Sequence, residues 1–572
     1  MKAKISIFLL VFSGLLMQSC EEFLEEELLA DVTADNYYVL EAGYEDGIRA
    51  IYESLDLFWG SEMGMTMTEL GTDYHTNGAD GSHKGFNFYD SRLAPAGDSY
   101  INSTSLNNNL WNLMYRSINQ CNAMIDRAAD VQDMSEDLKQ QRIAEARFLR
   151  GLFYFTLVRT FGDVHLSLEE TEGIELEANK TNRIDIIDQA IIPDFEAAAS
   201  VLPVTQAEYG RPTKPAAEFF LAKASLWRGW LTGENANFAR AQTLMEGVIN
   251  NYDFALLDRW GDLWDQDNQI NSEVIWTVQN TQLLTLNGSG NRFHLYFLME
   301  YDRLPGMTRD TENGRPWKRA RPTRWAEALY NDEPGYDPST GEPIAPQRLG
   351  ERADVRYEQG YKHVWFVNNP GTHAAIDFLQ PREFQMQEGD TAIFLPHVEF
   401  SEEARLAKNY QIFIPSEYTE KIYPTLNKFI DPRRDNRQRT QGSRDFIMAR
   451  LADAYLIAAE AALQQGDVAT ATEYINVVRE RAGREGRKAE MLVTEDQVDL
   501  DLLLDERARE LAGEMHRWFD LARTQTLVRR VREHNIQARD FLQDYHIVRP
   551  IPQNHIDAVG GNYEQNPGYG GS

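Results

Sequence analysis

Cysteine is nearly absent: two in 572 residues, so no disulfide framework holds the chain. Positive charge is short as well, with 57 Lys plus Arg against 89 Asp plus Glu and a formal net charge of −32. A field of that sign repels nucleic-acid phosphates and sets nucleic-acid binding aside. Catalytic signatures are missing. There is no His-Glu-x-x-His, no Gly-x-Ser-x-Gly and no phosphate-cradling Gly-rich turn, and the eleven histidines are scattered. Residues 265–273 alternate oxygen-bearing side chains as a calcium loop does. The sixth position, however, is Ile270 where glycine is needed, and the twelfth is Trp276 where glutamate is. With so many carboxylates, spacing alone cannot single out a glycosidase pair. What is present is an ordinary globular mix, 42% hydrophobic and 26% charged, in a chain long enough to bury a large core. Aromatic rings are plentiful (11 Trp, 25 Tyr, 27 Phe) and leave room for a ring-lined binding face.

Met1 to Cys20 reads as an export signal. Lys2 and Lys4 supply the positive start, and Ile5–Met17 is an apolar run too short to span a bilayer about 30 Å thick. It ends at Gln18-Ser19-Cys20, which resembles a bacterial lipobox with Cys20 as the acylated first residue; the competing reading is a plain secretion signal. Removing residues 1–19 takes two lysines and leaves a charge of −34. Lipid chains on Cys20 would anchor the protein at about 0.8 kcal/mol per buried methylene. The acidic run Glu21-Glu22-Phe23-Leu24-Glu25-Glu26-Glu27 is similar to the surface-export signal of Bacteroidetes-type lipoproteins, or else is a solvated tether. Cys121 then stands alone in a helical stretch among apolar neighbours and is expected to be an inert buried thiol.

After a tether at 20–33, periodicity predicts helices over 34–58, 105–129, 136–161, 183–201, 213–232, 236–250, 445–465, 468–482 and 496–526. Residues 60–104 and 256–442 lose the helical period and read as loop, with short strands at Glu273–Val278 and His363–Val367; Trp365 in the second is expected in the core. A shift of 230 residues aligns Leu221, Ala222, Ala224 and Leu226 with Leu451, Ala452, Ala454 and Leu456. It also aligns Ala239, Ala241 and Val248 with Ala469, Ala471 and Val478. Small residues recurring at these places suit closely packed helix hairpins, as in tetratricopeptide units.

Three segments carry a more specific signal: Glu145–Val164, Arg450–Ala462 continuing into Tyr474–Gly483, and Leu504–Arg523 with the tail Arg549-Pro-Ile-Pro552 and Gln565–Tyr569. In order and spacing they resemble the SusD/RagB family of outer-membrane lipoproteins across the mature chain. His165 stands where that family usually has proline, and Gly151 where alanine is commoner. The resemblance implies a mainly α fold: a tetratricopeptide-like helix-pair scaffold with an irregular, loop-rich ligand-binding lobe and a few short strands. Residues 1–19 would be the signal peptide, 34–572 the SusD-like domain. It also implies a lipid-anchored outer-membrane protein, placed on the cell surface by the acidic run, that captures glycan for a SusC-type TonB-dependent transporter, with no enzyme activity and no cofactor or metal. Peptide cargo, a two-carboxylate glycoside hydrolase and a protein-binding tetratricopeptide scaffold are the alternatives. Glu506, Arg507, Glu510, Glu514 and Arg517 sit three or four apart and read as scaffold charges supporting one another.

A sugar face needs flat rings together with amides, carboxylates or guanidinium groups. Two loops offer both. Gly71–Gly81 and Phe86–Asp90 supply Asp73, Tyr74, His75, Asn77, Asp80, Phe88 and Tyr89, and the first matches the early loop of the family's ligand site. Residues 296–325 supply Tyr296, Tyr301, Trp317, Arg319 and Trp325. Within them Arg315, Lys318, Arg319, Arg321 and Arg324 are either a site for an acidic sugar or partners of the protein's own carboxylates.

Overall fold

The computed structural model describes residues 33–95, 104–171, 173, 178–283, 285–330, 352–376, 379–560 and 563–570. Cys20 and the acidic run after it lie outside the described residues. The fold is mainly helical, with short strands. α1 (Glu41–Glu53) buries Tyr44, Ile48 and Ile51 on one face. Its Gly47 sits where a Cβ would meet the Met124 sulfur at 2.5 Å, so glycine is what lets α1 approach the next long helix. α2 (Glu62–Glu69) falls in a stretch expected to be loop. Six consecutive residues from Gly64 to Glu69 are buried, so beyond its first turn the helix has no solvent side and no amphipathic period to read.

The scaffold is a continuous stack. α3 (Thr104–Asp126) packs on α4 (Glu136–Phe161), α4 on α5 (Ile192–Val201), and α5 on α6 (Lys214–Thr232). α6 then packs on α7 (Asn235–Asn250), α7 on α8 (Leu451–Gln464), and α8 on α9 (Val468–Arg481). Ser135 caps α4 by accepting from Leu138 N at 3.3 Å, and Gly162 ends it at a positive φ of 78° that favours glycine. Before α5 the chain makes a π turn over Ile187–Ile191, ahead of Pro193, which lacks a backbone donor. The residues matched by the 230-residue shift are buried, apart from Ala239 and Ala469. Matched positions also touch: Lys223 reaches Asp453 at 3.1 Å, and the Trp230 indole N–H donates to Glu460 at 2.8 Å. The two hairpins therefore pack equivalent faces together.

Three expected helices differ. The one expected over 34–58 breaks at the extended Leu40 into a single turn, Ala34–Tyr37, and α1. Phe446–Arg450 is a strand antiparallel to Val274–Val278, so α8 begins only at Leu451. The helix expected over 496–526 is α10 (Leu500–Glu510) and α11 (Arg517–Arg523), followed by α12 (Leu527–His534). Gly513 and Met515 both take positive φ between the first two, which no helix accommodates.

The middle of the chain forms a lobe with a core of its own, including Tyr301, Trp365, Phe384, Ile393 and Tyr423. Its three-stranded sheet runs in the order 411–412, 391–394, 364–366. Between lobe and scaffold lies a buried charge network. Arg450 pairs with Glu273, Glu510 and Glu514, and Arg356 pairs with Asp354, Glu506 and Glu510. The motif charges thus find partners across the fold; support along one helix is the lesser part. Cys121 is buried, and burial raises its thiol pKa far above the ordinary value. No helix among the described residues is long and apolar enough to cross a membrane.

Candidate functional site

The early loop is stitched into the molecule by a strand. His75–Asn77 pairs antiparallel with Ala320–Pro322, drawing the flanking side chains inward. Asp73 is fully buried between Arg517, at 2.7 and 2.6 Å, and Arg530, at 2.8 Å. Burial pushes its pKa up, but the two guanidinium groups outweigh burial and hold it well below the usual carboxylate range. The Tyr74 hydroxyl bonds those of Tyr330 and Tyr361 at 2.6 and 2.7 Å. His75 Nδ1 lies 3.0 Å from Glu69, and Asn77 Oδ1 accepts from Asn87 at 2.7 Å. Tyr89 donates to the Gly71 carbonyl at 2.9 Å beneath the Arg549 guanidinium. In the second loop, the Tyr296 hydroxyl bonds Thr66 at 2.6 Å, and the Tyr301 ring stacks on Trp365 at 4.6 Å. These seven residues, expected to grip a ligand, are core: each is at most 2% exposed and, His75 Nε2 apart, has its side-chain polar atoms engaged inside.

Two further rings are half-buried and covered. Arg92 lies over Phe88 at 5.2 Å, and Trp325 stacks on His534 at 4.5 Å with Arg530 against it at 4.9 Å. The cation run is largely satisfied from within. Arg315 donates to the Gln438 carbonyl, Lys318 pairs with Glu300, Arg321 donates to the Asn77 carbonyl, and Arg324 pairs with Glu327. Of the residues read from the sequence, the structure brings together Asp80, Trp317 and Arg319. Arg319 pairs with Asp80 and, at 2.7 Å, with Glu62, while its guanidinium lies 5.1 Å from the half-buried Trp317 ring.

Glu62 leads from that cluster into a hollow of about 550 Å³. Ser61 caps α2 by accepting from Gly64 N at 3.2 Å, which fixes Glu62 and Met63 in the first turn. A second wall is α3, where Ser105, Asn109, Asn112 and Arg116 follow one another at four-, three- and four-residue steps and so share a face. The third wall is Ser289 and Arg292, held by the Arg292 N–H to the Gly60 carbonyl at 2.8 Å. Apolar patches from Leu57, Met63, Leu106 and Leu113 complete the lining. Burial raises the Glu62 pKa against the opposing pull of Arg319 and Arg292. Burial, then the Arg319 charge, brings His83 in the same wall down to about 4, so the ring is neutral at pH 7.

Such a lining can hold hydroxyl groups by amide, carboxylate and guanidinium hydrogen bonds while apolar patches cover ring faces. Among the described residues no group of three or more His, Cys, Asp and Glu could hold a metal ion. Sequence reasoning searched for rings and missed Glu62, Asn109, Asn112, Arg116 and Arg292. The available signal was the polar stripe on α3, a face of a long helix that carries hydrophilic groups against an otherwise buried element.

Comparison with known proteins follows the same lines. A family model described as "SusD family" matches residues 272–569, and one described as "Starch-binding associating with outer membrane" matches residues 49–226. SusD-like protein P25 of Formosa agariphila is 26% identical over 551 residues, covering 93% of both chains. Starch-binding protein SusD of Bacteroides thetaiotaomicron is 28% identical over 414 residues, covering 71% of this chain and 68% of its own. A solved laminarin-binding SusD-like protein shares the fold with a TM-score of 0.65 at 23% identity, over 93% of this chain and 100% of that one. The chain belongs to the SusD family.

Proposed function

We propose that the protein captures glycan at the hollow between α2, α3 and the 289–292 segment, and passes it to a SusC-type TonB-dependent outer-membrane transporter. Binding is by hydrogen bonds and apolar contact, with no bond broken. The protein is held at the outer-membrane surface by lipid on Cys20. The observation that carries the reading is the convergence of Glu62, Asn109, Asn112, Arg116 and Arg292 on one open, partly apolar hollow. The names of relatives that bind starch and laminarin support a carbohydrate over other small ligands. An open hollow leaves much of a bound chain hydrated, so affinity per site is modest.

Affinity electrophoresis through gels containing neutral and acidic polysaccharides tests this. Retardation by at least one glycan, lost in Asn109→Ala/Asn112→Ala, is the expected result. Absence of retardation across the panel, together with binding of peptides, would transfer the hollow to peptide cargo.

A further inference from the structure

Many guanidinium groups among the described residues pair with carboxylates, as Arg319 does with Glu62 and Arg324 with Glu327, while Arg315 and Arg321 donate to backbone carbonyls away from the hollow. Arg116 and Arg292 differ. Both line the hollow, and neither makes an ion pair among the described residues; the Arg292 Nε donates only to the Ser289 carbonyl at 3.3 Å. Arg116 is solvent-exposed and Arg292 half-buried. In a chain of net charge −32 with 89 carboxylates, two cations at one concave site with no ion pair among the described residues, Arg292 acting on Glu62 only through its field, are a local reversal of the surface charge. Glu62, the one carboxylate among the described lining residues, is already taken by Arg319 at 2.7 Å.

From this we infer that the hollow is selective for anionic glycans, whose carboxylate or sulfate groups take the two guanidinium forks. The inference rests on the glycan-binding reading of the same hollow and adds the ligand's charge. A planar guanidinium offers paired N–H donors that match either oxyanion, and the charged hydrogen bonds are stronger than neutral ones. The global negative charge does not prevent this. At physiological ionic strength fields fade over about 8 Å, so contacts within the hollow outweigh carboxylates elsewhere on the surface.

The test uses the purified protein and four polymers: polygalacturonate, its carboxyl-reduced form, carrageenan, and desulfated carrageenan. A neutral panel of starch, laminarin and xylan runs beside them. The expected result is binding of polygalacturonate or carrageenan, lost when that polymer's anionic groups are removed, with the binding polymer showing whether carboxylate or sulfate is read. Arg116→Gln and Arg292→Gln each weaken that binding by about tenfold. Raising salt from 0.15 M toward 1 M, where screening shortens to about 3 Å, weakens it further. Two outcomes overturn the inference and leave the glycan reading standing: binding of neutral polymers that Asn109→Ala/Asn112→Ala abolishes and the arginine variants do not touch, or equal binding of a polymer with and without its anionic groups. No binding of any polysaccharide overturns both.

Discussion

Asp73 and Arg517, 444 positions apart in the sequence, meet in a two-pronged buried ion pair at 2.7 and 2.6 Å. The pair ties the early loop to α11, and Arg530 on α12 closes it from the other side at 2.8 Å. An aspartate in a Gly- and Asn-rich loop among aromatics has the composition of a sugar ligand, yet here it is a rivet between the ends of the chain. Asp73→Ala leaves the buried Arg517 without its counter-ion, while Arg530 keeps Asp501 and Asp505, and is expected to cost about 3–5 kcal/mol. Urea denaturation of wild type and variant measures it; a loss under 1 kcal/mol would mean that the loop is not riveted there.

Tyr74 holds a hydroxyl cluster with Tyr330 and Tyr361. Tyr74→Phe removes the central hydroxyl and strands that of Tyr361, while Tyr330 keeps its bond to the Arg509 carbonyl, at a cost of about 1–3 kcal/mol. Thermal unfolding should register the loss while glycan retention by the folded protein stays unchanged.

Gly513 has φ +76°, and a Cβ there would lie 2.6 Å from Leu426 Cδ2 and 2.9 Å from the Phe429 ring. Gly513→Ala combines a strained backbone with a clash against the lobe, and is expected to destabilise by about 1–3 kcal/mol. Equal unfolding midpoints for variant and wild type would contradict this.

His83 ties the hollow to pH. Its folded pKa is about 4 against an ordinary 6.5, because burial and then the Arg319 charge disfavour the imidazolium. Between those values the unfolded chain binds the proton and the folded one does not, so stability from this group is complete above pH 6.5 and is lost as pH falls toward 4. The urea midpoint of His83→Gln should therefore fall less steeply than that of wild type between pH 6.5 and 4. NMR of the His83 ring should show no titration near pH 6.5.

The helical frame was legible because its signals are local. Ser135 and Gly162 mark the ends of α4, and the alanines repeated at 222, 224, 452 and 454 mark where hairpins pack closely. What the sequence hid was non-local. α2 shows no period because it is buried on all sides from Gly64 onward, and the strand Phe446–Arg450 reads as helix until Val274–Val278 pairs with it. The same applies to the site. Whether Tyr74 or Tyr301 faces water is decided by Tyr330, Tyr361 and Trp365, none of them near in sequence. Composition gave the early loop the chemistry of a binding face, and its strand pairing with Ala320–Pro322 turned that chemistry inward. The polar stripe of α3 was visible, but it carries no ring and so did not look like a sugar platform.

Glycan retention measured side by side for Asn109→Ala/Asn112→Ala and Tyr74→Phe tests the central claim most directly. Both proteins must first show native far-ultraviolet circular dichroism. With the hollow as the binding site, the paired asparagine variant loses retention and Tyr74→Phe keeps it. Full retention by the asparagine variant with loss in Tyr74→Phe would return the site to the early loop and contradict the assignment.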